Sequence, residues 1–306
     1  MSILITGASG FLGRNLVSKL LDAGYTVYGL YRKSPEAHIP LHFLPLIGDI
    51  TKPDLGQKDI PKDIDIVIHC AALLSFKAGD KDRLYETNFQ GTVNLLRWMR
   101  KNQITRLFHI STAYLFRQNY YEISKEMAEE AIKQYPEIST TIIRPSIIVG
   151  DSKMQGIPPL AGFYLGIAAV DRAKRWFERK TGAWPLRAKI RVRGKRAGRL
   201  NLIPVDVVAK NIAALMDTKH PDVFYLTHPN PPTLRSLEKP ISDAIGADIK
   251  IASKFKPNLV ERVAAKLMKE LAPYLEGNRL PSDIECPPLD DLFLARSLQS
   301  FLQHKS

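Results

Sequence analysis

The chain has 306 residues, 45% of them hydrophobic, with 44 Lys and Arg against 31 Asp and Glu for a formal charge of +13. That much apolar material excludes disorder and allows either one large α/β domain or a nucleotide domain with a smaller appendage. Cys70 and Cys286 match neither a metal-ligand spacing nor a C-x-x-C pair, so metal-centred and disulfide-framed folds are set aside as well.

In chain order, Ser2 to Thr6 is an apolar run that reads as a buried parallel strand. It leads into Gly7, Gly10 and Gly13, while Leu12, Leu16, Val17, Leu20 and Leu21 follow helical spacing up to a stop at Gly24. A strand, a glycine turn and a helix N-terminus form a dinucleotide pyrophosphate site. One glycine permits a turn too tight for a Cβ, the next admits the phosphates to the backbone, and the third lets helix pack on strand. Gly7, Ser9, Gly10, Phe11, Leu12, Gly13 and Arg14 are therefore the expected phosphate-side residues.

Further strand-like runs lie at Thr26 to Tyr31, Ile64 to Cys70, Arg106 to Ile110 and Thr140 to Val149. Helices are expected at Asp80 to Lys101 and Tyr121 to Tyr135, and the alternation predicts an α/β, Rossmann-type doubly wound parallel sheet. The apolar stretch Ile157 to Val170 is too short to span a bilayer. It reads as a buried hairpin or helix, with a greasy substrate channel or a peripheral membrane contact as the alternative. Arg172 to Arg199 then holds twelve Lys and Arg against Glu178 alone. Such a run suits a solvated face, an anionic membrane, or an acidic or phosphorylated carrier; nucleic acid is disfavoured, since no recognition module accompanies it.

Asn201 to Met216 and Val223 to Thr227 return to the sheet pattern, and helices follow near 259–271 and 289–303. The expected organisation is a nucleotide domain over 1–150, re-entered at 201–228. Residues 151–200 and 229–306, including the basic insertion at 172–199, form a smaller C-terminal substrate-side lobe. No basic-apolar-small leader precedes the first strand, so a cytoplasmic site is expected.

Tyr121 and Lys125 lie one helical turn apart on one face. A nearby ammonium favours the phenolate and fits the phenol for proton exchange with a carbonyl or alcohol. Alone the pattern is common on exposed helices. Upstream, Ser111 and Thr112 end an apolar strand, where a hydroxyl either polarises a substrate oxygen or caps the strand.

Taken in order, Thr6 to Gly13, Asp49-Ile50, His69-Cys70-Ala71-Ala72, Asn88-x-x-Gly91-Thr92, Ser111-Thr112-Ala113-Tyr114, Tyr121-Glu122-x-Ser124-Lys125, Arg144 to Ser152 and Pro204-Val205-Asp206-x-Val208-Ala209 form a recognisable set. The set resembles the extended short-chain dehydrogenase/reductase superfamily. Its versions look most like the branch of fatty acyl-CoA reductases and thioester-reductase domains, over roughly residues 1–228. The resemblance implies Tyr121 as the acid-base residue, Lys125 on the nicotinamide ribose, and Thr112, or failing it Ser111, on the carbonyl oxygen. It further implies Asp49 and Ile50 beside the adenine, Ala71 and Ala72 along the cofactor, Pro145 near the nicotinamide, and Asn88 as a structural or water-relay residue.

The second strand ends in Leu30-Tyr31-Arg32-Lys33-Ser34, with no acid to bind an unphosphorylated ribose. Arg32, helped by Arg14 or Lys33, suits a 2′-phosphate, so NADP is favoured over NAD. Tyr121 follows Thr112 by only nine positions, a shorter connection than in relatives, yet a span of about 30 Å when extended lets the two side chains converge.

The expected function is NADP-dependent hydride transfer to the carbonyl or thioester of a small-molecule substrate, fatty acyl or carrier-bound, with acyl-CoA or an acyl carrier protein as partner. The alternatives are an NAD-dependent nucleotide-sugar epimerase or dehydratase, a hydroxysteroid-type alcohol dehydrogenase, and a non-catalytic dinucleotide binder.

Overall fold

The computed structural model describes residues 1–33, 40–56, 61–151, 162–184, 189–277 and 279–303. Ser34, Ser152, Arg187 and the start of the apolar stretch, 157–161, lie outside the described residues. The chain forms two compact units, Met1–Pro145 with Val205–Leu226, and Ser146–Pro204 with Thr227–Ser306.

The first unit begins with β1 (Ser2–Thr6), α1 (Phe11–Asp22), β2 (Thr26–Tyr31), β3 (Phe43–Ile47) and β4 (Ile66–His69). Next come α2 (Lys81–Leu84), a π-helical turn at Tyr85–Gln90, α3 (Gly91–Lys101), β5 (Arg106–Ile110), α4 (Tyr120–Ile132) and β6 (Ser139–Pro145). The second unit opens with β7 (Ile147–Val149), α5 (Phe163–Thr181), β8 (Lys189–Arg193) and β9 (Leu202–Pro204). The chain then returns to the first unit as α6 (Val205–Ala214) and β10 (Val223–Leu226). It ends in the second with α7 (Glu238–Ile245), β11 (Asp248–Ala252), α8 (Leu259–Leu267) and α9 (Asp291–Gln303).

Seven strands of the first unit form one parallel sheet in the order β10-β6-β5-β4-β1-β2-β3. Strand order reverses between β1 and β4, and the crevice beyond their carboxyl ends is where ligands of doubly wound sheets bind. Alternation along β1 sends Leu4 into a core with Val67, Leu95, Trp98, Met99 and Leu107, and Ile3 and Ile5 to the opposite face. The buried Leu16 and Leu20 of α1 and Val208 and Ile212 of α6 belong to the two helices that pack together.

The structure adds one strand to the sequence reading, splits another and refines one helix. β3 was not expected, because Pro45 interrupts its apolar run; it lies at the sheet edge, where a missing N–H is tolerated. The single strand expected over Thr140 to Val149 breaks at Ser146. β6 pairs with β5 and β10, whereas β7 pairs with β9 in a separate two-stranded sheet. Pro145 donates no ladder bond and marks the break. The helix expected from Asp80 to Lys101 is helical throughout its length, but widens to a π turn that carries Asn88 inward.

In the second unit β8 and β11 pair in parallel. α5 runs unbroken from the apolar stretch into the basic one. Tyr164, Ile167, Ala168, Ala169 and Val170 are buried, and Arg172, Arg175, Arg179 and Lys180 are exposed. The described part of the apolar stretch is therefore a buried helix end. Among the described residues no helix is long and apolar enough to cross a membrane.

Candidate active site

The turn after β1 is built without room for side chains. Gly7 has φ +70°, and a Cβ on it would stand 2.7 Å from the Ala71 nitrogen. A Cβ on Gly13 would stand 2.1 Å from the Gly7 carbonyl oxygen. The Gly10 N–H donates to that same oxygen at 2.9 Å. Gly10 caps α1 with no side-chain bond, and the first turn holds no acid, so the N–H groups of Phe11, Leu12 and Gly13 have no intrahelical acceptor. Ser9 and Gly10 are exposed beside them. A cradle that a Cβ would fill, lined by backbone N–H groups at a helix N-terminus, fits the pyrophosphate of a dinucleotide.

At the end of β2, Arg32 and Lys33 are exposed, and Arg14 projects from α1. Burial raises the Tyr31 phenol pKa and the Arg14 charge opposes the rise, which places that guanidinium in the field of the β2 end. The Asp49 carboxylate accepts from the Thr51 N–H and hydroxyl, both at 2.9 Å. Ile50 departs from expectation: its side chain sits in the core, where a Cβ on Gly91 would come within 2.9 Å of its Cδ1, and its carbonyl accepts from Asn94. Of the pair expected at the adenine, the Asp49 side chain alone is partly exposed. Ala71 is half-buried and Ala72 exposed, just past β4.

Behind the cradle runs a buried hydrogen-bond chain whose proton positions follow from its donors. The Thr92 hydroxyl gives its proton to the Asn88 carbonyl at 2.7 Å, so it accepts from His69 Nε2 at 3.1 Å. His69 Nδ1 then accepts from the Thr6 hydroxyl at 2.6 Å, and that hydroxyl accepts from the Ala71 N–H. Burial, and secondarily the charge of Lys125, press the His69 pKa down to about 3, so the ring stays neutral. The Asn88 side chain accepts from the Leu73 N–H and donates to the Leu73 carbonyl and to the Ser124 hydroxyl, which donates to the Tyr121 carbonyl. The last residue of β1 and the helix bearing Tyr121 are thus joined through one polar chain.

α4 starts on Asn119, whose side chain accepts from the Glu122 N–H at 3.0 Å. The buried Glu122 carboxylate reaches back to accept from the Phe116 and Gln118 N–H groups, both at 3.0 Å. The short connection from Thr112 to Tyr121 is held by this acid. Tyr121 is half-buried, edge-on to Phe76 at 6.1 Å between ring centroids. Burial raises its pKa, and the charge of Glu122 adds to the rise. Lys125 is 1% exposed; its Nζ donates to the Ile110 carbonyl at 2.7 Å and lies 3.4 Å from His109 Nε2. Burial lowers its pKa to about 8, with Glu129 opposing. The expected lowering of the phenol by the ammonium is not what this state shows: desolvation dominates at Tyr121, and the ammonium rests against β5.

The two hydroxyls at the end of β5 part company. Ser111 donates to Glu129 at 2.5 Å, and Glu129 also binds Arg144 through both oxygens, with Arg144 reaching the Tyr225 hydroxyl at 2.6 Å. Ser111 is thereby committed to a structural network rather than to a carbonyl oxygen. The Thr112 hydroxyl accepts from the Tyr114 N–H at 3.2 Å, which leaves its proton to donate. Pro145 is buried, its carbonyl taking the Ala113 N–H at 2.9 Å. Glu129 and His109 went unnoticed as site residues. Glu129 stands four residues beyond Lys125 on the same helix face, and His109 two before Ser111 on the same strand face, spacings that would have marked both.

Much of the basic insertion is consumed within the second unit. Arg191 grips the buried Glu261, Arg196 the buried Glu238, Lys195 meets Glu276, and Arg199 donates to the Pro231 carbonyl. Lys174 and Arg175 pair along α5 with Glu178 and Asp171.

Residues 3–162 match the family described as NAD dependent epimerase/dehydratase, and residues 116–212 match the family described as male sterility protein. A putative UDP-glucose 4-epimerase of Methanocaldococcus jannaschii is 30% identical over 49% of this chain and 56% of its own length. A linear gramicidin synthase polypeptide of Brevibacillus parabrevis is 28% identical over 74% of this chain and 5% of its own length. The chain thus spans about half of the first relative and a small part of the second. Among solved structures, a thiolation-reductase di-domain from an archaeal non-ribosomal peptide synthetase superposes with TM-score 0.72 at 18% identity, over 99% of this chain and 75% of that one. That likeness bears on the fold.

Proposed function

The chain belongs to the NAD dependent epimerase/dehydratase family, and we propose that it is an NADP-dependent reductase of the extended short-chain dehydrogenase/reductase type, acting on a carbonyl or thioester. The observation that carries this reading is the junction of β5 and α4. There Thr112 keeps a hydroxyl proton to give, and Lys125 is tied to the Ile110 carbonyl one turn from Tyr121. The bound dinucleotide supplies the hydride. Thr112 holds the substrate oxygen, and Tyr121, kept protonated by burial, gives that oxygen its proton as the hydride reaches carbon. The Lys125 ammonium lowers the cost of the phenolate left behind. With a thioester, collapse of the reduced adduct expels the thiol and leaves an aldehyde.

Arg14, Arg32 and Lys33, with no acid at the end of β2, support the 2′-phosphorylated cofactor. The substrate is best read as an acyl thioester on coenzyme A or an acyl carrier protein. The peptide synthetase relative and the thiolation-reductase structure support that class, as does the exposed basic face of α5. Arg172, Arg179 and Lys180 lie on that face, and no bond from them to another described residue competes for a phosphate or an acidic partner.

The decisive experiment measures NADPH oxidation against acyl-CoAs, carrier-bound acyl thioesters, aldehydes and ketones, beside Tyr121→Phe. Turnover of a thioester that drops about 10³-fold in the variant supports the reading. Epimerisation of a UDP-sugar with tightly retained NAD would replace it by a second one, which the M. jannaschii relative favours. Reversing Arg172, Arg179 and Lys180 to Glu raises KM for the carrier-bound substrate; an unchanged KM removes the docking role of α5.

A further inference from the structure

His109 sits in the middle of the sheet with none of its surface exposed. Its Nε2 lies 3.4 Å from the Lys125 ammonium. An ammonium only donates, so Nε2 is the acceptor and the ring proton is on Nδ1. Among the described residues Nδ1 has no partner. The neighbouring imidazole, His69, is 5.3 Å away between ring centroids, and both its nitrogens are already engaged with Thr6 and Thr92. A buried donor without an acceptor is a net cost to folding, one that a phenylalanine or leucine in the same slot would not incur. The imidazole therefore contributes little to the fold that an apolar side chain would not, and what it offers is the nitrogen aimed at Lys125.

The groups around Lys125 are few. β5 presents His109 and the Ile110 carbonyl; β4 and the residue after it present His69 and Cys70; α4 presents Glu129 one turn on. Among the described residues only His109 and the Ile110 carbonyl come within hydrogen-bond distance of Nζ. A strand carbonyl fixes one direction of the ammonium and leaves it free to swing about that bond. A second acceptor removes the freedom.

We propose that His109 is a positioning residue for Lys125, its Nε2 and the Ile110 carbonyl together fixing the ammonium at the end of β5, where the nicotinamide ribose is to be met. This rests on the reading of Lys125 as the ribose-binding group. A neutral acceptor is suited to the task, because it steadies the cation without cancelling its charge, as a carboxylate would.

The test follows the affinity for NADPH, by its fluorescence, between pH 6 and 10 in the wild type, His109→Phe, His109→Leu, His109→Gln and Lys125→Met. In the wild type the affinity holds below about pH 8 and falls as the ammonium is lost above it. Lys125→Met abolishes that break. Loss of the imidazole acceptor in the Phe and Leu variants weakens binding about fivefold at pH 7 and moves the break down by about one pH unit, while Tm stays within a few degrees. Glutamine, whose Oε1 accepts in the same direction, restores the break. A break and an affinity unchanged in both apolar variants overturn the proposal, as does a break that survives Lys125→Met. NADPH that binds no form of the protein overturns the cofactor reading itself.

Discussion

Buried charge in this molecule is held on two different terms, and Lys125 stands apart even from Glu129 of its own unit, which Arg144 meets. In the second unit the buried carboxylates of Glu238 and Glu261 are each met by an arginine, and Glu261 also accepts from the Arg191 and Asn258 N–H groups. These charges are satisfied where they lie. In the first unit Lys125 is as deeply buried, yet its hydrogen-bond acceptors are a neutral imidazole and a carbonyl. A buried cation without a carboxylate in contact is costly, and such cost persists where a ligand benefits from the charge. Compensation at the site of burial distinguishes architecture from chemistry.

The contrast is broken most severely by exchanging Lys125 for methionine, which fits the same space without charge. Turnover is expected to fall about 10³-fold while the unfolding free energy in urea changes by less than about 1 kcal/mol. A large loss of stability would make Lys125 a structural cation like its counterparts. Glu261→Ala is the converse: it takes the acceptor from the Arg191 and Asn258 N–H groups and is expected to cost about 2 kcal/mol of stability, read from the urea midpoint. Acid sharpens the comparison from the side of the histidines. His69 is held neutral in the fold at a pKa of about 3 but takes up a proton near pH 6.5 once unfolded. Between those values the unfolded chain binds more protons, so stability falls as the pH falls, by about 2 kcal/mol for His69 between pH 8 and 5. His69→Phe, which has no proton to take up on unfolding, should flatten that acid limb by about the same 2 kcal/mol; an identical limb would place its origin elsewhere. The smallest effect concerns the cofactor rim: Arg32→Ala is expected to reduce the preference for NADPH over NADH about tenfold, measured as the ratio of Kd values.

The parallel sheet and the glycine cradle were legible because both are local. Hydrophobic periodicity marked β1, β2 and β5 to the residue, and the glycines of the first turn carry their own steric reason. β3 was hidden by Pro45, and the end of β6 by apolar residues that continue past Pro145 into another sheet. Tyr121, Lys125 and Thr112 stood out by type and spacing. Of the support beneath them, Glu129 and His109 share helix and strand spacings with Lys125 and Ser111, whereas sheet register alone places His69 beside His109, forty residues on. The basic insertion was legible only in part for the same reason: the acids that answer Arg196 and Arg191 lie 42 and 70 residues downstream.

Glu122 has a consequence for how such a protein changes over time. By gripping the Phe116 and Gln118 N–H groups, it ties residues 116–122 into a fixed turn whose length cannot grow without releasing the helix start. Change on this stretch is then accommodated by exchanging single outward side chains, such as the exposed Phe116, rather than by inserting residues. The protein is open to fine adjustment there and closed to wholesale remodelling.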